Sequence, residues 1–251
     1  MFVVWGKKHV YKKMGFVADF CPLCRKVSSF RLDRVGLAGH VYYISLGKGE
    51  LVGYARTCIN CKTVLNGNPD LYREVSKKLV EPGELQRMTF PNLYSHHTER
   101  LALETSLRNS PGSVPVDTRR ALLKEPFILL NPSVEKRFSS TQVDKYTSLT
   151  VLAALALLPL ASGVGERFSP AHQGEIFLGT LLAGIIAVSV QGFLQTGRYF
   201  NTKIFPVLVP ALKPLKPTTA ELTSVIAELK KAETKFGKKL KLASLLEHLQ
   251  R

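Results

Sequence analysis

Two Cys-x-x-Cys pairs decide the fold at the start of this chain: Cys21-Pro22-Leu23-Cys24 and Cys58-Ile59-Asn60-Cys61. They contain all 4 cysteines of the 251 residues. Each pair can place two thiolates on one tight turn, and two such turns facing each other satisfy an ion that takes four soft ligands in a tetrahedron. The spacing therefore predicts one structural Zn²⁺ ion per chain, with ligands Cys21, Cys24, Cys58 and Cys61.

Two other uses of paired cysteines fit the sequence less well. Disulfides are typical of exported domains, but the start of the chain has no basic region leading into an apolar core and cleavage site, so we expect the N-terminal part to stay in the cytoplasm. A thioredoxin-like redox pair needs a βαβ context, and neither cysteine pair opens a recognisable helix.

Segments of strand length and strand composition lie around the cysteine pairs. Residues 27–35 and 40–46 are rich in β-branched and aromatic side chains and predict two adjacent strands. Residues 47–50 supply a glycine-rich turn, after which residues 51–57 return to the second pair. A domain of about 65 residues buries too little apolar surface to be secure alone, so we expect metal binding to be coupled to folding.

The motifs also follow a familiar order: Phe2-Val3-Val4-Trp5-Gly6, Phe20-Cys21-Pro22-x-Cys24, Phe30-Arg31-Leu32, then an aromatic-rich segment before Leu46-Gly47-Lys48. In this order and spacing, residues 1–66 resemble the short zinc-ribbon domains of uncharacterised function. The resemblance implies an opening strand, two rubredoxin-like knuckles that close a small β-sheet around zinc, and the four cysteines as ligands. Glycine commonly follows each knuckle in such ribbons, whereas Arg25 and Lys62 stand here, so we expect a small backbone strain at positive φ.

The ribbon is strongly basic. Over the whole chain Lys+Arg exceed Asp+Glu by 35 to 19, and the excess lies before Tyr146 and after Gln195. A basic face interleaved with Tyr42, Tyr43 and Tyr54 could hold phosphates and stacked bases, which makes nucleic acid a candidate partner. The alternatives are that these aromatics form the core of the sheet and that the basic face lies beside anionic lipid.

Residues 67–145 are interpreted as a helical connector. The sequence predicts three helices in it: residues 69–79 after an N-cap at Asn68, residues 95–107, and residues 116–130 with breaks near Pro126 and Pro132. His96 and His97 make a poor chelate because adjacent helical residues point about 100° apart, so we expect a solvated helix start. The chain has no Gly-rich phosphate loop, nucleophile elbow or spaced carboxylate pair, and we expect no enzyme.

Two uncharged apolar runs follow, at residues 146–165 and 176–197. About 20 helical residues span roughly 30 Å, the thickness of a bilayer core, so residues 146–197 predict a transmembrane helical hairpin. Gly179, Ala183 and Ala187 form a small-residue stripe that lets either the first span or a second copy approach closely. The alternative is a buried helical hairpin in a soluble protein.

The charges that flank these runs predict their orientation. Lys136, Arg137 and Lys145 precede the first span, and Arg198 and Lys203 follow the second, whereas the short connection offers only Arg167. The positive-inside rule then places both termini in the cytoplasm, as a multi-pass membrane protein with two spans. A cytoplasmic location of the N-terminal part also agrees with a thiolate site, because such a site needs a reducing compartment.

Residues 198–251 are interpreted as a proline-rich link followed by an amphipathic helix. Thr218 and Glu221 have the spacing of a capping box, and apolar residues then recur at helical intervals opposite a lysine-rich face. This helix could lie on the inner leaflet, pack on the connector or pair with another protomer.

These observations predict a small β zinc ribbon followed by a mainly α region with two transmembrane helices and a C-terminal amphipathic helix. The predicted function is a membrane-anchored cytoplasmic adaptor or assembly factor, because four thiolates leave the metal no open position for activating water. The alternatives are a membrane-tethered nucleic-acid-binding module and a component of a transporter, which would need further subunits.

Overall fold

The N-terminal part of the chain folds into a small antiparallel β-sheet. The structure is a computed structural model that describes residues 5–41, 44–45, 47–110, 112, 114–139, 143–168 and 172–250. The strands are β1 (Trp5–Cys21), β2 (Lys26–Val41), β3 (Ile44–Ser45), β4 (Glu50–Cys58) and β5 (Val64–Asn66). The order across the sheet is β1-β2-β4-β5, and β3 pairs with the end of β2.

Strands β1 and β2 form one long hairpin. They pair from Trp5 opposite Val41 to Cys21 opposite Lys26, with a bulge between Lys13 and Gly15. The prediction of two adjacent strands at residues 27–35 and 40–46 is wrong, because β2 continues unbroken to Val41 and takes β1 as its partner. Residues 42, 43 and 46 lie outside the described residues, as do residues 1–4 at the start of the expected opening strand.

Strand β4 returns along the other edge of β2, as the sequence predicts for residues 51–57. The turn before it lies directly on β2, where glycines permit the close approach. A Cβ at Gly36 would lie only 2.1 Å from the carbonyl oxygen of Lys48. Gly49 has a φ of +68°, a conformation that L side chains rarely adopt.

The segment after the sheet is only partly helical. Asn68 caps it as predicted, since its side-chain oxygen accepts from the Asp70 amide at 3.1 Å, but a single 3₁₀ turn follows (Pro69–Leu71). The predicted helix over residues 69–79 is therefore wrong. Instead, Ser76 lies beside Phe16 of β1 and exchanges two backbone hydrogen bonds with it, at 2.7 and 3.0 Å. This extended contact offers backbone bonds to the sheet that a helix would forgo.

The connector helices are α1 (Pro82–Thr89), α2 (Leu93–His96), α3 (Thr98–Asn109) and α4 (Val116–Ser139). The helix predicted over residues 95–107 is confirmed, with a break at His97. The predicted breaks near Pro126 and Pro132 are wrong, because α4 passes through both. Its Leu123, Phe127 and Leu130 are buried, and this apolar burial stabilises the continuous helix against the cost of its two prolines.

Two later helices, α5 (Lys145–Phe168) and α6 (Gln173–Tyr199), are long and apolar enough to cross a membrane. They pack side by side, and a Cβ at Gly184 would lie 3.2 Å from the Cβ of Ala154. Most of their large apolar side chains are exposed, up to 86% for Phe193. The predicted stripe of Gly179, Ala183 and Ala187 is also exposed, so it does not face the first span.

An ion pair closes the base of this helical hairpin. Arg198 of α6 donates through Nε to Asp144, just before α5, at 2.7 Å, and through Nη1 to Gln191 at 2.7 Å. The hydrogen bond from Arg198 holds the pKa of the Asp144 carboxyl well below its usual range. Gln191 therefore accepts a hydrogen bond from a residue of its own helix.

The predicted proline-rich link is helical. After α6 the chain continues through a π-helical turn (Phe200–Ile204), α7 (Phe205–Leu212) and a 3₁₀ turn (Lys213–Leu215). Pro206 falls where the π-helical turn changes to α-helix, a position at which the regular hydrogen-bond ladder is already altered. Leu208 and Leu212 are fully buried, and this apolar burial stabilises the segment.

The C-terminal region begins at the predicted capping box. The Thr218 amide donates to the Glu221 carboxylate at 2.7 Å, and the Glu221 amide donates to Thr218 Oγ1 at 3.2 Å. A single amphipathic helix is wrong, however, because three short helices follow: α8 (Thr219–Lys231), α9 (Lys235–Lys239) and α10 (Leu242–Gln250). The first break comes where Glu233 adopts a φ of 56° and Thr234 caps α9.

These elements form two compact units. One unit contains the β-sheet, α1 to α3, α4 up to Leu130, Val207–Val225 and the chain from Leu246. The other contains Asn131–Pro206 and Ile226–Leu245, and so includes α5 and α6. The cysteine pairs and their surroundings belong to the first unit.

Candidate metal centre

Both cysteine pairs form turns at the same end of the β-sheet. The first connects β1, which ends at Cys21, to β2, and the second connects β4, which ends at Cys58, to β5. The pairing of β2 with β4 places Cys58 opposite Phe30, and the Ile59 amide donates to the Ser29 carbonyl at 2.9 Å. The strand register therefore brings the second turn alongside the first.

The structure brings all four predicted ligands together. Their Sγ atoms lie within 4.8 Å of one another, with Cys21 to Cys61 at 3.7 Å and Cys24 to Cys58 at 3.9 Å. A disulfide would require about 2.05 Å. Four thiolates around a tetrahedral ion at about 2.3 Å would be about 3.8 Å apart. The four cysteines are therefore spaced to hold a metal ion.

The sulfurs are held in unequal surroundings. Cys21 and Cys58 are buried, whereas Cys24 and Cys61 are partly exposed. The hydrogen bond to Cys24 raises the pKa of the Cys21 thiol, and hydrogen bonds from Cys21 lower the pKa of the Cys58 and Cys61 thiols. Like charges in contact repel, so a bound cation is needed for all four sulfurs to ionise together. Anionic sulfurs in this set are the form that binds metal.

Two polar hydrogens point at the same sulfur pair. The Cys24 amide donates to Cys21 Sγ at 3.4 Å, as expected for a thiolate turn, and the Asn60 side-chain amide donates to Cys24 Sγ at 3.3 Å. Donors of this kind fix the orientation of thiolate ligands and stabilise their charge. Asn60 is one residue whose role the spacing of the cysteines alone did not suggest.

The backbone after each cysteine pair adopts the left-handed conformation. Arg25 has a φ of 51° and Lys62 a φ of 59°, which confirms the strain expected where such ribbons commonly have glycine. The Lys62 side chain is exposed, whereas Arg25 is 3% exposed. The two positions are therefore alike in backbone and different in side-chain environment.

Arg25 joins the first turn to the helical part of its unit. Its Nη1 donates to both carboxylate oxygens of Glu104 at 3.0 and 3.1 Å, and its Nε donates to the Ala211 carbonyl at 2.6 Å. Glu104 is itself buried and accepts from Arg100, which also donates to Glu125. Because both charges are buried, removing either partner would leave the other without its counter-charge, which is costly.

A second buried cluster surrounds Asp19, two residues before the first ligand. Its side chain is 0% exposed and accepts from the Phe20 amide at 2.7 Å, the Tyr72 hydroxyl at 2.7 Å and His97 Nε2 at 2.9 Å. Arg56 of β4 forms an ion pair with the same carboxylate. Asp19 therefore ties β1, β4 and the start of α3 together beside the cysteines, as a buried carboxylate whose oxygens both accept hydrogen bonds.

The position of His97 corrects one expectation. The sequence predicted a solvated histidine pair, but His97 is half-buried against Asp19 and its burial lowers the pKa of its imidazole. Burial likewise raises the pKa of the Tyr72 hydroxyl. Sequence patterns did not connect Asp19, Tyr72 and His97, because they lie far apart along the chain and meet only through the packing of α1 to α3 on β1.

No known protein-family model matches this chain, and no curated protein or solved structure matches it either. The resemblance of residues 1–66 to short zinc-ribbon domains is thus carried by motif order and spacing, and by the four-cysteine cluster.

Replacing one cysteine should abolish stoichiometric metal binding. We expect the purified full-length protein to contain one Zn²⁺ per chain, because four thiolates in a tetrahedron favour zinc. Cys58→Ser should lose it, whereas Asn60→Ala should keep one ion with an affinity lowered about 10-fold or more, since only the donor to Cys24 is removed. Elemental analysis and competition with a chelator measure both effects. A metal-free wild-type protein would contradict the prediction.

Glycine should have opposite effects at the two left-handed positions. Lys62→Gly relieves the backbone at little cost to packing and should raise the free energy of unfolding by roughly 0.5–1 kcal/mol. Arg25→Gly relieves the same strain but leaves Glu104 buried without its partner, and should lower the free energy of unfolding by about 2–4 kcal/mol. Denaturant unfolding of the zinc-loaded proteins compares them directly. Equal effects at both positions would refute the assigned role of Arg25.

Proposed function

We propose that this chain is a membrane-anchored protein whose zinc-stabilised β-domain acts as a binding module, an adaptor or assembly factor. In this proposal the four cysteines hold Zn²⁺, the helical hairpin of α5 and α6 lies in the bilayer, and both termini lie in the cytoplasm. The metal supports the shape of a recognition surface and takes no part in a reaction.

One observation carries the proposal: Arg25, directly after the second ligand, is buried and bound to Glu104 of α3 and to the Ala211 carbonyl. The metal turn is therefore coupled to helices as well as to strands. Together with Asp19, it fixes the connector helices against the sheet. A metal site that organises this much surrounding surface is suited to binding a partner through that surface.

The chemistry of the cysteine cluster also favours binding over catalysis. Four protein ligands complete the tetrahedral coordination of Zn²⁺, so no position is left for a water molecule or a substrate. Catalytic zinc sites usually have three protein ligands and one open position. The buried Asp19 and Glu104 carboxylates are fully engaged with cationic and hydroxyl partners, and neither lines an open cleft in the described residues.

The membrane part of the proposal is supported by what the helical hairpin exposes. Leu149 is 65% exposed, Ile186 63% and Phe193 86% on helices that carry no charge in their central turns. In water such a surface would cost free energy, whereas lipid tails would cover it. Asp144 and Arg198 lie at the shared end of the two helices, where ionic groups meet the aqueous interface.

A nucleic-acid-binding module is the second candidate. The observation that favours it is the outer edge of β1, which carries the exposed residues Lys7, Lys12 and Lys13. Lysines on an edge strand also discourage pairing with other strands, which accounts for them without a nucleic acid. We therefore rank a protein partner first.

The hairpin should hold the protein in membranes during alkaline carbonate extraction. Leu182→Arg and Ile186→Arg together should release it, because each arginine near the middle of a span costs about 2.5–3.5 kcal/mol. The matched control, Lys230→Leu with Lys231→Leu, changes charges outside the hairpin and should stay in the membrane fraction. Release of the wild-type protein by carbonate would refute the anchor.

The binding role is tested by photo-crosslinking in intact cells with a photoreactive residue at the exposed position Lys26, which lies opposite Cys21 beside the first metal turn. We expect a defined protein adduct that is recovered again when the crosslinked partner, once identified by mass spectrometry, is tagged. The adduct should disappear in Cys58→Ser, because the turn loses its metal, and persist in Lys62→Gly. Adducts of equal yield in the metal-free variant would contradict the zinc-supported surface.

A further inference from the structure

Three cationic side chains converge on one face of the β-sheet, away from the cysteine cluster. Lys12 of β1 lies directly opposite Arg34 of β2, and Arg34 lies opposite Tyr54 of β4. Directly opposed side chains on one face have Cβ atoms about 4.5–5.5 Å apart. The third cation is Lys48, from the turn that precedes β4. Lys12 and Arg34 thus place two positive charges opposite each other, with the charge of Lys48 beside them.

The turn holds Arg34 in a fixed position. Its Nη1 donates to the Lys48 carbonyl at 3.0 Å and its Nη2 donates to the Gly49 carbonyl at 3.1 Å. The absence of a side chain at Gly36 permits this contact, since a Cβ there would lie 3.0 Å from Arg34 Nη1 as well as against the Lys48 carbonyl. Two of the five N–H donors of the guanidinium are thereby used, and the remaining donors are available to a ligand.

Nothing among the described residues neutralises this cluster. Neither Lys12, Arg34 nor Lys48 forms an ion pair with a carboxylate in the part of the chain that the structure describes. The contact and charge of Lys48 lower the pKa of the Lys12 ammonium, with a smaller contribution from Arg34. Like charges held opposite each other destabilise a sheet, and a bound anion would reduce this repulsion.

We propose that Lys12, Arg34 and Lys48 form a binding site for a phosphate monoester group. Three converging cations match a compact dianion, and a guanidinium with a fixed plane can donate to two phosphate oxygens at once. A nucleic-acid backbone would instead call for cations spread along a track several nucleotides long. The phosphate can come from a free ligand or from the headgroup of an anionic lipid. The proposal does not depend on the zinc site or on membrane insertion.

The test is calorimetric titration of the full-length protein, purified in a neutral detergent at low salt, with the phosphate monoester glycerol 3-phosphate as the probe. Wild-type protein should bind it, and Lys12→Gln and Lys48→Gln should each weaken binding about 10-fold, roughly 1.4 kcal/mol. Both side chains are exposed, so neither substitution should disturb folding. The matched control is Lys7→Gln, which makes the same charge change on the same strand but on the opposite face of the sheet.

The source of the phosphate is distinguished in two further titrations, with mixed micelles containing phosphatidic acid and with a 20-nucleotide oligothymidine. Binding of glycerol 3-phosphate that depends on Lys12 and Lys48, but not on Lys7, supports a site for a free phosphate ligand. The same dependence seen only with phosphatidic acid supports a lipid headgroup. No binding, binding weakened equally by Lys7→Gln, or binding of the oligonucleotide alone would overturn the proposal.

Discussion

Contact among the four cysteine sulfurs is the constraint on which the first unit depends. Sulfurs packed at 3.7 and 3.9 Å repel one another once they ionise, so the arrangement requires a cation or protons between them. The turns that carry them connect four of the strands in pairs. Asp19, two residues before the first ligand, and Arg25, directly after the second, then connect those turns to the connector helices. The two cysteine turns therefore connect the sheet, the connector helices and the candidate metal centre.

Arg25 and Lys62, which follow the two cysteine pairs, share one backbone conformation but differ in what their side chains contact. At Lys62 the side chain is exposed, so the strain of the left-handed conformation is not offset by a buried contact of that side chain. At Arg25 the same conformation aims a guanidinium into the unit, where it binds Glu104. The strain at Arg25 is offset by a buried ion pair.

Local patterns in the sequence were sufficient to predict the four candidate metal ligands and the ends of several elements. The cysteine spacing identified the four residues that the structure brings together, and the capping signals at Asn68 and Thr218 are present as hydrogen bonds. Two helices long and apolar enough to cross a membrane were also evident. Each of these features depends on residues close together in the chain, which is why composition and spacing reveal them.

The features that the sequence did not disclose depend on distant partners. Residues 69–79 are predicted to be a helix, yet Ser76 bonds to Phe16 and Tyr72 to Asp19, more than 50 residues away along the chain. Pro126 predicts a break, but buried neighbours keep α4 continuous. The proline-rich segment near Pro206 is helical for the same reason. In each case tertiary packing outweighs a local preference, and a single sequence does not specify which distant residues will meet.

The register between β2 and β4, which shifts at a bulge between Val35 and Gly36, determines whether the two cysteine pairs meet. Side chains alternate between the two faces of a strand, so a slip of one residue between β2 and β4 would turn Cys58 away from the first cysteine pair. Cys21 and Cys24 lie in the turn of the local β1–β2 hairpin. Cys58 and Cys61 face them only if β4 pairs with β2 in the correct register. A sheet misaligned by one residue would therefore be unable to bring the four sulfurs together.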